Sequence, residues 1–283
     1  MHVTVVTPTH DVSWLGETWK SLLGQTHGDW DWLLLPNGGA RIPMRIVADG
    51  RVSVLPEDWD AVGNIGALKR RLCDHAAGPM IVELDHDDLL TPDCLAEVAA
   101  TVDNGDDPAF VYSDFVQFWP EHESHVFDGG QGWESYPFEY GDYSYTAMRA
   151  FAPDASSLRQ VYYAPNHVRA WTRAAYTAVG GHDPELPICD DHDLICRLYL
   201  AQVPFYHIPR VLYLYRERAE TFATQNSFRS FREDGTLERV HHRNQNRYTW
   251  KLINEWCRRA NLPKYDLGGR IDCPPGYQSI DLL

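Results

Sequence analysis

Positive charge is what this chain lacks most. Its 283 residues carry 25 Lys and Arg against 40 Asp and Glu, a formal net charge of −15. That balance argues against general affinity for nucleic acid or anionic membrane. The shortage is uneven, because Arg216 to Arg259 holds ten basic and six acidic residues. This basic stretch either folds back on the acidic body or holds an anionic substrate or partner. No apolar run approaches the roughly 20 residues that a membrane-spanning helix needs. Met1-His2-Val3-Thr4 leads straight into a strand pattern, so no secretory leader is expected. The six cysteines form no Cys-x-x-Cys pair and no zinc-like spacing. They are expected as reduced, mostly buried thiols in a cytoplasmic protein. A hydrophobic content of 44% with 23% charged residues suits a soluble domain with a full core.

What is there is most informative at Ile81-Val82-Glu83-Leu84-Asp85-His86-Asp87-Asp88, an apolar run that stops at three carboxylates in four positions. Such a cluster at a strand end repels itself and resists burial. A hard divalent ion such as Mg²⁺ or Mn²⁺ relieves both problems and keeps open positions for substrate phosphates. The plainer alternative is an acidic turn leading into a helix. Around it, strands are expected at Val3–Pro8, Trp30–Leu35, Arg51–Leu55 and Met80–Leu84, and helices at Trp14–Leu23, Ile65–Ala77 and Leu95–Val102. This alternation predicts an α/β, doubly wound, mostly parallel sheet with helices on both faces. Ligands then gather at the carboxyl ends of the strands. Further on, the patterns predict a strand at Ala109–Phe118, helices at Val168–Val179 and Asp191–Leu200, a strand at Val211–Tyr215 and a long basic helix at Glu238–Ala260. Between them, residues 129–145 read as a long aromatic loop.

Four segments carry a resemblance. Val5-Val6-Thr7-Pro8-Thr9-His10, Asn64-Ile65-Gly66-Ala67-Leu68-Lys69-Arg70-Arg71, the block from Gly180-Gly181-His182-Asp183 to Asp190-Asp191-His192-Asp193-Leu194, and Leu212-Tyr213-Leu214-Tyr215-Arg216 occur in order around the acidic cluster. Together they resemble glycosyltransferase family 2, nucleotide-sugar enzymes of the GT-A fold, from residue 3 to about residue 217. The resemblance implies that Asp87 ligates the metal and that Asp85 stands close to the donor ribose as its partner in the Asp-x-Asp pair. It also implies that Thr7, Pro8 and Thr9 line the base pocket, that Arg71 lies near base and phosphates, and that Asp191 is the catalytic base. Asp190 is expected to cap the helix or touch the acceptor. Residues 1–104 would be the nucleotide-sugar half and 105–217 the acceptor half of one domain, with 218–283 a C-terminal helical extension.

The chemistry agrees with that reading. An inverting transfer needs a carboxylate to deprotonate the acceptor hydroxyl and a metal to offset charge on the departing diphosphate. Crowding among Asp190, Asp191 and Asp193 suits the first task. The chain departs from the family where Asn37 replaces an aspartate that touches the base, and where Arg218 stands in place of a histidine. Asn37 retains hydrogen-bonding capacity for the base, and Arg218 is expected to grip the diphosphate. His167 could contact acceptor or diphosphate, or simply pack. Trp133 and its neighbouring tyrosines suit sugar faces or a core. The expectation is a metal-dependent, inverting glycosyltransferase acting from a nucleoside-diphosphate sugar, a UDP-sugar first, on a hydroxyl acceptor. The alternatives are a nucleotidyltransferase or nucleotide-sugar hydrolase, and an inactive sugar-binding module.

Overall fold

In a computed structural model, residues 1–102, 107–126, 133–154, 158, 165–186, 190–217 and 258 are described, with the backbone of 229–231 and 237–239. The β-branched and aromatic runs form strands β1 (Val3–Thr9), β2 (Trp30–Pro36), β3 (Val52–Val54) and β4 (Met80–Glu83). All four are parallel, in the order β3-β2-β1-β4. Every residue of β1 and β4 is buried, as strands covered on both faces must be. Between them run α1 (Leu15–Leu23), α2 (Met44–Val47) and α3 (Ile65–His75). The crossovers through α1 and α2 step one way along the sheet and that through α3 steps back. Right-handed connection therefore puts α3 on the opposite face.

The sheet then becomes mixed. Beyond β4 come β9 (Arg169–Thr172), β6 (Phe110–Phe118), β10 (Phe205–Arg216) and the two-residue β5 (Leu89–Leu90). β9 is antiparallel to both β4 and β6, and β10 is parallel to β6. Helix α4 (Cys94–Thr101) packs on β10, α5 (Arg173–Ala178) on β9, and α6 (Asp190–Leu200) on α3. Among the described residues no helix is long and apolar enough to cross a membrane. Cys73, Cys94 and Cys196 are buried thiols that form no disulfide among the described residues.

Three expectations change. The aromatic stretch is a hairpin where it is described: β7 (Glu134–Tyr140) pairs with β8 (Tyr143–Arg149), which borders β6. Its period is two, since Tyr136, Phe138 and Tyr140 share one face and pack on Val116, Phe118 and Leu214. Gly141 supplies the positive φ of the turn. The segment from Val168 is not helical throughout. Arg169–Thr172 is strand β9, and the helix starts only at Arg173, where Thr172 Oγ1 accepts from the Ala175 N–H at 3.2 Å. The helix does end at Gly180-Gly181, both at positive φ. Finally, β11 (Arg229–Phe231) pairs with β12 (Leu237–Arg239). Glu238 and Arg239 therefore lie in a strand, because pairing overrides weak local preference. The rest of the expected basic helix lies outside the described residues, except Arg258, which is helical.

Candidate active site

β1 places Thr7, Pro8 and Thr9 at the carboxyl edge of the sheet, beside Leu34, Leu35 and Pro36 of β2. The Thr7 hydroxyl is already engaged, accepting from Trp32 Nε1 at 2.8 Å and donating to the Leu84 carbonyl at 2.6 Å. Thr9 Oγ1 and Asn37 Oδ1, by contrast, are buried without a hydrogen-bond partner among the described residues. They lie on adjacent strand ends joined by the Asn37 N–H donating to the Thr9 carbonyl at 2.8 Å. Two unmatched polar atoms at one edge suit the hydrogen-bonding rim of a ligand. Arg71 stands on α3, partly exposed, 3.4 Å from Asp58.

The acidic cluster is tied down from three sides. Thr18 of α1 donates to the His86 carbonyl at 3.0 Å. Tyr213 of β10 donates to Asp88 Oδ2 at 2.7 Å and accepts from the Asp85 N–H at 3.1 Å. The Arg216 N–H donates to Asp88 Oδ1 at 2.6 Å, while its guanidinium donates to the Asp87 carbonyl at 2.8 Å and to Glu17 at 2.7 Å. Within this frame one atom each from Asp85, Asp88 and His167 lie within 4.8 Å of one another. Asp87 is buried beside them but is not of that group. Burial raises the carboxyl pKa of Asp85 and of Asp88, and neighbouring carboxylates raise them further. Carboxylates crowded at a strand end in this way, Asp87 among them, fit a hard divalent cation.

Behind the cluster lies a buried charge network. β4 and β9 pair Glu83 directly with Arg169, and Lys69 on the buried side of α3 also pairs with Glu83. Arg169 reaches Asp191, and Lys69 lies 3.3 Å from Asp190. His182 Nε2 is 3.5 Å from Asp190, and its Nδ1 meets the Tyr176 hydroxyl at 2.9 Å. Both aspartates open the first turn of α6, where the helix dipole favours negative charge. Their protonation diverges. Burial raises Asp190 to about 7, with Asp191 adding to the effect against Lys69. Burial also works against the charged form of Asp191, but Arg169 and Lys69 outweigh it and hold this group at about 2. Asp191 is also the more open of the two, at 13% against 5% side-chain exposure.

The Asn64-x-Gly66 motif explains how this acid pair is placed. Asn64 Oδ1 caps α3 by accepting from the Ala67 N–H at 3.1 Å, and its amide donates to the Pro184 carbonyl at 2.7 Å. Gly66 donates to the Leu186 carbonyl at 3.2 Å, and a Cβ there would collide with the carbonyls of Asp183 and Leu186. The turn that leads to α6 is thus seated on the N-terminus of α3.

The expected residues divide accordingly. Asp85 joins Asp88 and His167, Asp190 and Asp191 share one network, and Thr9 meets Asn37. Arg71 reaches Asp58, and Arg218 lies outside the described residues. Sequence reasoning had missed Lys69, Glu83 and Arg169. A Glu closing an otherwise apolar strand was the available signal, since it needs a cation.

Comparison with known proteins agrees with the geometry. The family model described as "Glycosyl transferase family 2" matches residues 4–161. The O-antigen biosynthesis protein RfbC of Myxococcus xanthus is 30% identical over 236 residues, covering 80% of this chain and 16% of that protein. The uncharacterized protein y4gI of Sinorhizobium fredii is 25% identical over 237 residues, 79% of this chain and 23% of that one. The chain thus spans less than a quarter of either relative. Among solved structures, S. aureus TarS 1-349 in complex with UDP-GlcNAc superposes with a TM-score of 0.59 at 14% identity, over 96% of this chain and 77% of that one. The mannosyltransferase PcManGT of Pyrobaculum calidifontis, in complex with GDP-Man and Mn²⁺, gives 0.52 at 12%, over 80% and 59%. The fold is therefore GT-A, and with the family match covering more than half of its length, this chain belongs to glycosyl transferase family 2.

Proposed function

We propose that the chain is a metal-dependent, inverting glycosyltransferase that uses a nucleoside-diphosphate sugar, a UDP-sugar first, and a carbohydrate or other hydroxyl acceptor. The observation that carries this reading is one cluster, where Arg169 reaches Asp191 of the acid pair on one side and, on the other, His167, which is grouped with Asp85 and Asp88. A divalent ion, Mn²⁺ or Mg²⁺, held by Asp87 and Asp85 would neutralise charge on the departing diphosphate. Thr7, Pro8, Thr9 and Asn37 line the base, with hydrogen bonds from Thr9 and Asn37, and Arg71 stands toward the phosphates. Asp191, ionised and reachable, takes the acceptor proton as the acceptor oxygen bonds to the anomeric carbon, opposite the breaking bond to the diphosphate. Asp190, more buried, sets the position of its neighbour. Residues 1–104 form the donor half, 105–217 the acceptor half, and 218–283 the extension. Buried, reduced thiols at Cys73, Cys94 and Cys196 favour a reducing, cytoplasmic setting.

UDP-GlcNAc and GDP-Man complexes among the structural relatives make a nucleotide panel the test. UDP at one hundred times its Kd should add about 2.7 kcal/mol of stability with Mn²⁺ present, read as a rise in Tm, and EDTA should remove that rise. Equal stabilisation with and without metal would refute metal dependence. A response to GDP and none to UDP would correct the donor.

A further inference from the structure

Arg169 orients more than the acid pair. Its Nη2 lies 3.2 Å from His167 Nε2. A guanidinium only donates hydrogen bonds, so Nε2 is the acceptor, and the single proton of the neutral ring sits on Nδ1. The ring is 3% exposed and is held flat against Tyr213, with centroids 4.2 Å apart and planes at 14°, and against Tyr215 at 5.3 Å. Its Nδ1 is buried and has no partner among the described residues. The same ring belongs to the group gathered with Asp85 and Asp88 within 4.8 Å, which invites its reading as a third metal ligand. The tautomer opposes that reading. Metal ligation needs a nitrogen lone pair, whereas Nδ1 carries the proton and the Nε2 lone pair is taken by Arg169.

Building on the reading of a nucleoside-diphosphate donor, we propose that His167 is a neutral hydrogen-bond donor whose Nδ1–H receives a diphosphate oxygen beside Asp85 and Asp88, and that it is not a metal ligand. A buried N–H matched only when the anion arrives favours the bound state, because no internal bond is broken to make it. It also meets the charge that grows on the diphosphate as the sugar leaves.

The test uses the full chain labelled with ¹⁵N-histidine. In the unliganded protein the His167 ring, assigned by the signals lost in His167→Ala, should be neutral and protonated at Nδ1. Mg²⁺ alone should leave that nitrogen protonated, and Mg²⁺ with inorganic pyrophosphate should shift its proton downfield. Calorimetry with magnesium pyrophosphate then compares variants whose Tm shows them folded. His167→Asn, whose amide nitrogen reaches the place of Nδ1, should bind within about threefold of the unaltered chain. His167→Gln and His167→Ala should lose roughly tenfold or more. A ring protonated at Nε2 would overturn the proposal, as would unaltered pyrophosphate affinity in His167→Ala. Lost Mn²⁺ affinity in His167→Ala without any anion would make His167 a metal ligand instead. Pyrophosphate moving Nδ1 while no UDP- or GDP-sugar binds would leave this proposal standing and refute the donor reading. A sugar nucleotide that binds with Nδ1 unmoved would do the reverse.

Discussion

At the scale of single residues, the two aspartates that open α6 have opposite electrostatic fates, and this separates their expected phenotypes. Asp191→Asn should keep UDP affinity nearly unchanged but cut turnover by about 10² or more, because a base acts only in the transition state. Asp190→Asn should cost much less. Calorimetry and steady-state kinetics on the same preparations check both, and a reversed order would move the base to Asp190. Stability separates the pair independently. Asp190 is raised by burial to about 7 when folded, so its favourable contribution is complete below the unfolded value near 4 and disappears as pH rises to 7. Asp191, held at about 2 mainly by Arg169 and Lys69 against burial, contributes above pH 4 and loses that contribution as pH falls toward 2. The Tm advantage of Asp190→Asn over the unaltered chain should therefore grow between pH 4 and 7. A constant difference would show that Asp190 does not titrate there. The carboxylates were legible in the sequence because they crowd within four positions. Their partners were not, since Arg169 meets Glu83 only through an antiparallel strand pairing across 86 residues, and Lys69 reaches the same carboxylate from helix α3.

At the scale of elements, β1, β2, β4, α1 and α3 were readable because each keeps one period over most of its length. The hairpin was missed although Tyr136, Phe138 and Tyr140 alternate, since the flanking Gly-rich stretch hid the pattern. β9 was read as the start of a helix because Ala-Trp-Thr-Arg-Ala-Ala suits one locally, and only its slot between β4 and β6 makes it a strand. Trp133 illustrates the same limit: it packs edge-on against Phe115 and Phe151, so Trp133→Ala should cost about 3–5 kcal/mol of stability, seen as a lowered denaturation midpoint. An acceptor role for the hairpin, which lies in the proposed acceptor half, is better tested at Tyr136, whose hydroxyl donates to the buried Asp114 at 2.7 Å. Tyr136→Phe should raise acceptor KM about fivefold through the lost bond and leave UDP affinity within about twofold. Lost UDP affinity with normal acceptor kinetics would place the hairpin on the donor side. For α3 the telling change is Gly66→Ala, whose methyl meets two carbonyls that cannot yield without moving the turn before α6. Overpacking of this kind costs about 1–3 kcal/mol, and turnover should fall further than UDP affinity does.

At the scale of the whole molecule, one sheet crosses the proposed division between residues 104 and 105. β4 of the first half borders β9 of the second, and β5 of the first pairs with β10 of the second. Residues 1–217 should accordingly melt in a single calorimetric transition, and neither half alone should give one; two transitions in the intact chain would refute this. The buried network lies across the same seam, with Lys69 and Glu83 from one half and Arg169, Asp190 and Asp191 from the other. Its charges offset one another only when all are present, and removing one partner of a buried pair costs far more than the pair returns in stability. Such a set resists change one position at a time: losing Glu83 takes one carboxylate from both Lys69 and Arg169, and losing Arg169 leaves Glu83 and Asp191 each short of a partner. Descendants of this chain would then be expected to keep the five residues together or to replace them together, so that the network behaves as one inherited character, and a sequence carrying four of them would mark a lineage caught between two solutions.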